Sequence, residues 1–265
     1  MHALLNVAVM AARRAGAVLG RNFNKRDKLT VEMKGRNDFV SSADIAAEKA
    51  IIEVIHKHYP DHAIQAEESG AQGESDHLWI IDPLDGTTNY LHGLPVFAIA
   101  IGLQINGRLE HGVVYDPMSE ELFTASRGEG AQLDGRKIRV SGNKDLDRAL
   151  IGTGFPYRQS ENEVEPYLAM LGQVVKNTAG VRRLGAAALD LCYVACGRFD
   201  GFWETGLQPW DLAAGTLIIR EAGGIISALD GNENHMETGH VLAGTPRIYR
   251  GLAKLCSKEI KVILQ

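Results

Sequence analysis

The chain begins with an apolar stretch of helical period. Leu4, Leu5, Ala8, Ala11, Ala12 and Ala15 recur at spacings of three and four, which puts them on one face of an amphipathic helix. A second helix is expected over 46–58, ended by Tyr59-Pro60. The period then changes to two. Segments 97–105, 109–115 and 121–126 alternate, with turn signals at Asn106-Gly107 and Asp116-Pro117, the pattern of an antiparallel meander. Beyond a soft division near 143–147, helices are expected over 163–177, 186–196, 211–222 and 247–257. Short strands lie near 201–204, 224–229 and 241–243. No repeat or low-complexity stretch interrupts the chain, and the layout is mixed α/β.

Between helix and meander, the apolar run Leu78-Trp79-Ile80-Ile81 reads as a buried strand. It leads directly into Asp82-Pro83-Leu84-Asp85-Gly86-Thr87-Thr88-Asn89. Two carboxylates stand three residues apart where Pro83 ends regular pairing, and Gly86 frees the backbone for a tight approach. Thr87, Thr88 and Asn89 read as the first turn of a helix. One short segment thus offers oxygens for a hard cation and amide donors for an anion. Taken alone, the same residues also suit an Asp/Gly turn followed by a capped helix.

Three other acidic segments have equally plain structural readings. Glu67-Glu68 follows a short apolar strand and fits a solvated loop. Asp211, in Trp210-Asp211-Leu212-Ala213-Ala214-Gly215, and Asp44, at the end of the segment 34–44, fit helix N-caps.

Composition narrows the partners. The 265 residues carry 28 basic and 33 acidic side chains, net −5, which argues against broad electrostatic binding of nucleic acid or of an anionic membrane. Cys192, Cys196 and Cys256 have neither a disulfide framework nor metal-ligand spacing. The first apolar stretch precedes Arg13-Arg14, whereas a signal peptide carries its positive charge first. The expectation is a soluble, cytoplasmic chain without a membrane partner.

In order along the chain, Glu67-Glu68-Ser69, Asp82 to Asn89, Gly185-Ala186-Ala187, Glu204-Thr205-Gly206 and Trp210 to Gly215 resemble the inositol monophosphatase family. These are Mg²⁺-dependent, lithium-sensitive phosphomonoesterases. The likeness runs over nearly the whole chain, including 34–44 and Tyr115-Asp116-Pro117, and within the family it points to the bacterial SuhB-type branch. It implies one catalytic domain over 1–265, an α/β fold built as a layered αβαβα sandwich, shared with fructose-1,6-bisphosphatases. It also implies two to three Mg²⁺ ions. Glu67, Asp82 and the Leu84 carbonyl would hold the first; Asp82, Asp85 and Asp211 the second; a third would share Glu67. Sharing divalent ions would relieve the repulsion among four converging carboxylates.

The resemblance further implies hydrolysis of myo-inositol monophosphate by a metal-activated water. Thr87 and Asp44 would be the activating pair beside catalytic Glu67. Asp85, Gly86, Thr87 and Asp211 would face the substrate phosphate and leaving group. Glu204 would accept bonds from ring hydroxyls, and Gly185, Ala186 and Ala187 would leave room for the polyol. Arg182 matches a basic position of the family, and Lys34 is a further charge partner. His92 and His111 read as ordinary surface or core histidines. Besides a small phosphorylated polyol, the expected partners are a second copy of the chain, as a homodimer, and RNA polymerase with Nus factors. The alternatives are the same chemistry on 3′-phosphoadenosine 5′-phosphate, fructose 1,6-bisphosphate or NADP, or a mainly non-catalytic role in transcription.

Overall fold

The apolar stripe at the start of the chain folds as α1 (Ala3–Phe23), with Leu4, Leu5, Ala8, Ala11, Ala12 and Ala15 all buried. This is a computed structural model, and it describes residues 2–25, 29–35, 38–156 and 164–264. By length and composition α1 could cross a membrane, but half of its apolar window is buried inside the fold. After the hairpin β1 (Val31–Gly35) and β2 (Asp38–Ser41), α2 (Ser42–His58) packs along α1. It starts four residues before the expected 46, because Ser41 caps it in a capping box.

The next run of strands builds the larger sheet. It comprises β3 (Ala63–Ala66), β4 (Gly70–Gln72), β5 (His77–Asp85), then, after the short helix α3 (Thr87–His92), β6 (Ala98–Ile105), β7 (Arg108–Asp116), β8 (Glu121–Ser126), β9 (Gly130–Leu133) and β10 (Arg136–Ile138). Their order is β10-β9-β8-β7-β6-β5-β3-β4, antiparallel except for the parallel pair β3–β5. The meander read from the period-two segments is its centre.

The second half alternates helices and strands: β11 (Leu150–Thr153), α4 (Val164–Asn177), β12 (Gly180–Arg182), α5 (Ala187–Ala195), β13 (Gly201–Glu204), α6 (Pro209–Glu221), β14 (Ile225–Ser227), α7 (His235–Thr238), β15 (Val241–Gly244), α8 (Pro246–Leu255) and α9 (Ser257–Ile263). The expected start of α4 at Glu163 lies outside the described residues. The smaller sheet runs β12-β11-β13-β15-β14.

Alternation along the strands sorts side chains into three cores and stacks the elements in five layers. On β5, Trp79 and Ile81 point to α1 and α2, while Ile80 points to the core shared with α5 and α6. On β13 and β15, Phe202, Val241 and Ala243 face that same central core, whereas Trp203 and Leu242 meet α4, α8 and α9. The result is the layered α/β sandwich: helices, sheet, helices, sheet, helices.

The central layer sits close to the larger sheet because glycines let it. A Cβ at Gly102 would lie 2.8 Å from Ala213 Cβ, and one at Gly112 would lie 2.8 Å from the Ala214 carbonyl oxygen. This approach fixes the depth of α6, and with it the position of Asp211 in its first turn. Gly112→Val should therefore destabilise the fold by about 1–3 kcal/mol through overpacking against backbone. A urea titration that returned an unchanged midpoint would mean that the layer has slack the packing does not suggest.

Candidate metal centre

The site begins with a break in a strand. Asp82 pairs with Ala100 and Asp85 with Ala98, so β5 carries one extra residue there, and Pro83, which has no N–H to donate, sits inside the bulge. In a regular strand residues three apart face opposite sides; the extra residue re-aims the chain so that both aspartates reach one cavity. The Leu84 N–H donates to Asp82 Oδ1 at 2.9 Å, pinning that carboxylate. Gly86 follows with φ of 96°, and a Cβ there would lie 3.0 Å from the Val96 carbonyl oxygen and 3.3 Å from Phe97 Cα. Only glycine fits both the left-handed backbone and the space.

Asp211 arrives from the central layer. Its Oδ2 accepts the Gln208 N–H at 2.7 Å in a capping box. Asp44 does the same on α2, its Oδ2 accepting the Ser41 N–H at 2.9 Å and the Ser41 hydroxyl at 2.6 Å. Neither is the N-cap expected from sequence: Ser41 and Gln208 hold that position, and each aspartate stands at the third residue of its helix. That leaves Asp44 Oδ1 to accept from the Thr87 hydroxyl at 3.0 Å, across 43 residues of sequence. The same hydroxyl is 3.0 Å from the Leu84 carbonyl oxygen.

One ligand atom from each of Asp82, Asp85 and Asp211 lies within 4.8 Å of the others, and all three residues are buried. Asp85 is compensated by backbone: its two oxygens accept the Ala187 N–H at 3.2 Å and the Ala188 N–H at 2.7 Å, the first amides of α5. Burial first, then the charges of Glu67, Asp85 and Asp211, push the Asp82 pKa well above its ordinary value of 3.8. Glu67 lines the same cavity from the turn after β3 but stands outside the 4.8 Å cluster. Its N–H donates to the Ile81 carbonyl at 3.1 Å, one residue before Asp82. Hard, crowded, buried oxygens are the donor set a Mg²⁺-like ion favours, so the residues present fit the group.

The cavity measures about 310 Å³, and its other wall belongs to the second half of the chain. Gly185, Ala186, Ala187 and Glu204 line it. Gly185 has φ of 84°, and its loop is tied to α3 by the Asn89 amide, which donates to the Val96 and Leu184 carbonyls at 2.8 Å each. A Cβ at Gly154 would fall 1.8 Å from Glu204 Oε1, so a bare backbone makes room for that carboxylate. The arginine lining the cavity is Arg183, stacked 5.4 Å from the Phe155 ring centre. Arg182 is exposed on β12, donates to the Val181 carbonyl at 3.0 Å and is not part of the cavity lining. Of these two adjacent exposed arginines, Arg183 reaches the cavity wall, and Arg182 stays on the outer surface of the edge strand β12.

Asp190 had no signal in the sequence. It is buried on α5, its two carboxyl oxygens have no hydrogen-bond partner among the described residues, and burial, then Glu204 and Asp85, raise its pKa well above the ordinary value. The expectation for the Lys34 side chain lies outside the described residues. His92 is exposed, and His111 is buried with Nδ1 2.9 Å from Ser126 Oγ. All three cysteines are free.

Fold and site together define a layered α/β sandwich with an acidic, metal-suited centre at the end of its larger sheet. The inositol monophosphatase family model matches residues 1–261, and the chain belongs to that family. Nus factor SuhB of Escherichia coli strain K12 is 50% identical over 267 residues, covering 100% of both chains. The crystal structure of extragenic suppressor protein SuhB from Bartonella henselae aligns with a TM-score of 0.94 at 44% identity, over 97% of this chain and 99% of that one. Inositol monophosphatase from Anabaena (Nostoc) sp. PCC 7120 aligns with a TM-score of 0.86 at 42% identity, over 96% and 95%.

The crowding at Asp82 has a measurable consequence. A carboxyl whose folded pKa is raised contributes stability below its unfolded pKa and loses that contribution as pH rises through the folded value. At neutral pH, above the unfolded value of 3.8, metal-free protein bears the cost of that crowding, as repulsion or as a proton taken up. Asp82→Asn keeps an oxygen for the Leu84 N–H and removes one charge, so in chelator at pH 7 it should melt higher, by the equivalent of about 0.5–2 kcal/mol. A lower melting temperature than the parent would refute the crowding.

Proposed function

We propose that the protein is a Mg²⁺-dependent phosphomonoesterase that hydrolyses a small phosphorylated polyol, myo-inositol monophosphate foremost, to the alcohol and inorganic phosphate. The observation that carries this reading is the convergence of Asp82, Asp85 and Asp211 in one cavity whose edge holds the Thr87–Asp44 hydrogen bond.

Glu67, Asp82 and the Leu84 carbonyl would hold one Mg²⁺, Asp82, Asp85 and Asp211 a second, and Glu67 would share a weaker third. When bound, such ions neutralise phosphoryl oxygens, acidify a water and stabilise a departing alkoxide. The chain's own residues supply the rest. Thr87 Oγ takes a proton from the attacking water and passes its own to Asp44 Oδ1, 3.0 Å away. Asp44 suits that task because burial lifts its pKa, against the opposing bonds from Ser41 and Thr87. The Gly86 and Thr87 amides face the phosphate at the start of α3, and Arg183 adds positive charge on the cavity wall.

Glu204 accepts from ring hydroxyls, while Gly185, Ala186 and Ala187 present no bulk toward the ring. A cavity near 310 Å³ is at the small end for ligand sites, which supports a compact polyol over a dinucleotide. The name of the Anabaena relative, an inositol monophosphatase, supports the same substrate. A second reading rests on the full-length likeness to a protein named a Nus factor: a contact with RNA polymerase and its Nus partners. Co-purification of tagged protein with RNA polymerase, compared with an unrelated tagged control, tests it directly.

Phosphate release from inositol 1-phosphate should require Mg²⁺ and stop in excess EDTA; undiminished turnover in chelator would end the metal-dependent reading. Asp211→Asn separates ligand from structural brace. Asparagine can still accept the Gln208 N–H, so the metal-free protein should melt near the parent, while kcat falls on the order of 10²-fold or more through lost charge stabilisation. Near-normal kcat would reduce Asp211 to a helix brace. Glu204→Gln should shift relative rates across a panel of inositol, glycerol, adenosine and fructose phosphates, with the Mg²⁺ requirement kept. Identical relative rates would take Glu204 out of substrate recognition.

A further inference from the structure

α2 carries two buried acids one turn apart, Asp44 and Glu48, on the same helix face. Asp44 holds Thr87. Glu48 reaches the other side of the site: its Oε2 accepts the Glu68 N–H at 2.8 Å and its Oε1 accepts the Ser69 N–H at 2.9 Å. Residues 67–69 form the turn between β3 and β4, closed by the pair Ala66 and Gly70, with Gly70 at φ of 73°. The remaining amide of the turn, that of Glu67, donates to the Ile81 carbonyl. Every N–H in the turn is thus committed to a fixed acceptor, and two of the three share one carboxylate.

A three-residue hairpin turn needs no buried acid to close it, and desolvating a carboxylate is costly. What distinguishes this turn is its load. Glu67 and Asp82 line the same cavity, and carboxylates brought together away from bulk water repel one another. Before any cation arrives, that repulsion pushes the turn outward. Two charge-assisted bonds from a helix packed in the core oppose it.

We infer that Glu48 is a positioning residue of the metal centre, holding the Glu67 turn at the depth cation binding requires. The inference rests on the reading of Glu67 as a metal ligand proposed above. It also gives α2 a second duty. Through Asp44 and Glu48, about 6 Å apart along the helix axis, one rigid element sets the spacing between the Thr87 hydroxyl and the Glu67 carboxylate.

The test is Mg²⁺ binding by titration calorimetry on metal-free, folded protein, well below its melting temperature. Glu48→Gln keeps the shape but sets an NH₂ group against one of the two amides. Ile55→Val thins a core contact of the same helix without touching the turn. Both should lower the melting temperature. Only Glu48→Gln should raise the Mg²⁺ dissociation constant, by roughly 10-fold, as outer-shell replacements do. Should that variant fail to fold, Glu48→Asp keeps the charge but falls short of both amides, and the same rise is expected. Parent-like Mg²⁺ affinity in a folded Glu48 variant overturns the inference while leaving the metal centre intact. Failure of the parent protein itself to bind Mg²⁺ overturns the metal centre and this inference together.

Discussion

Carboxylates that converge in a cavity screened from water repel one another, and each would sooner take up a proton than stay charged. Asp82 meets this condition most severely, since it is buried and faces Glu67, Asp85 and Asp211. Much of the surrounding architecture serves to hold those groups together against that repulsion. The bulge in β5 sets two of them side by side, the glycine-lined approach of α6 to the larger sheet fixes the third, and Glu48 braces the turn of the fourth.

Helix N-termini provide most of the compensation. Asp44 and Asp211 each occupy the third position of their own helix, and Asp85 accepts the first two amides of α5. Each therefore sits where unsatisfied N–H groups and the helix dipole favour negative charge. Among the described residues, Asp82 has only the Leu84 amide. Of the three clustered aspartates, the one with no bond to a helix N-terminus among the described residues is thus Asp82, where a divalent cation would gain most from binding. Poor local satisfaction at Asp82 is the counterpart of affinity for what the cavity is shaped to hold.

Chemistry held within short words of sequence was legible, and chemistry assembled across the fold was not. The segment 82–89 announced a strand end, a glycine turn and a helix start because each is a local property of the chain. The strongly periodic helices and the meander were equally readable. Asp44 and Asp211 looked like N-caps because capping is judged from residue type near a helix start, yet Ser41 and Gln208 take that role. That Arg183 lines the cavity depends on how the segment after β12 passes over the site, which no local pattern reveals. Gly154 and Glu48 carried no signal, since their partners lie 50 and about 20 residues away. The short strands β9 to β12 are three or four residues long, too brief for a period to declare itself.

The cavity lies where three layers meet, and the division of labour follows the layers. The end of the larger sheet supplies Asp82 and Asp85, the central layer supplies Asp211, and the smaller sheet supplies Glu204. Groups suited to binding a cation thus belong to the first sheet and the central helices, and groups suited to reading a substrate belong to the second sheet and the loop before α5. A change at Gly154, Arg183 or Glu204 alters the far wall of the cavity without entering the carboxylate cluster. By contrast, any change that lifts α6 from Gly102 and Gly112 moves Asp211 as well, because packing and ligand geometry there depend on the same contact. Substrate preference can therefore drift within this architecture while the acidic centre stays fixed by the core that supports it.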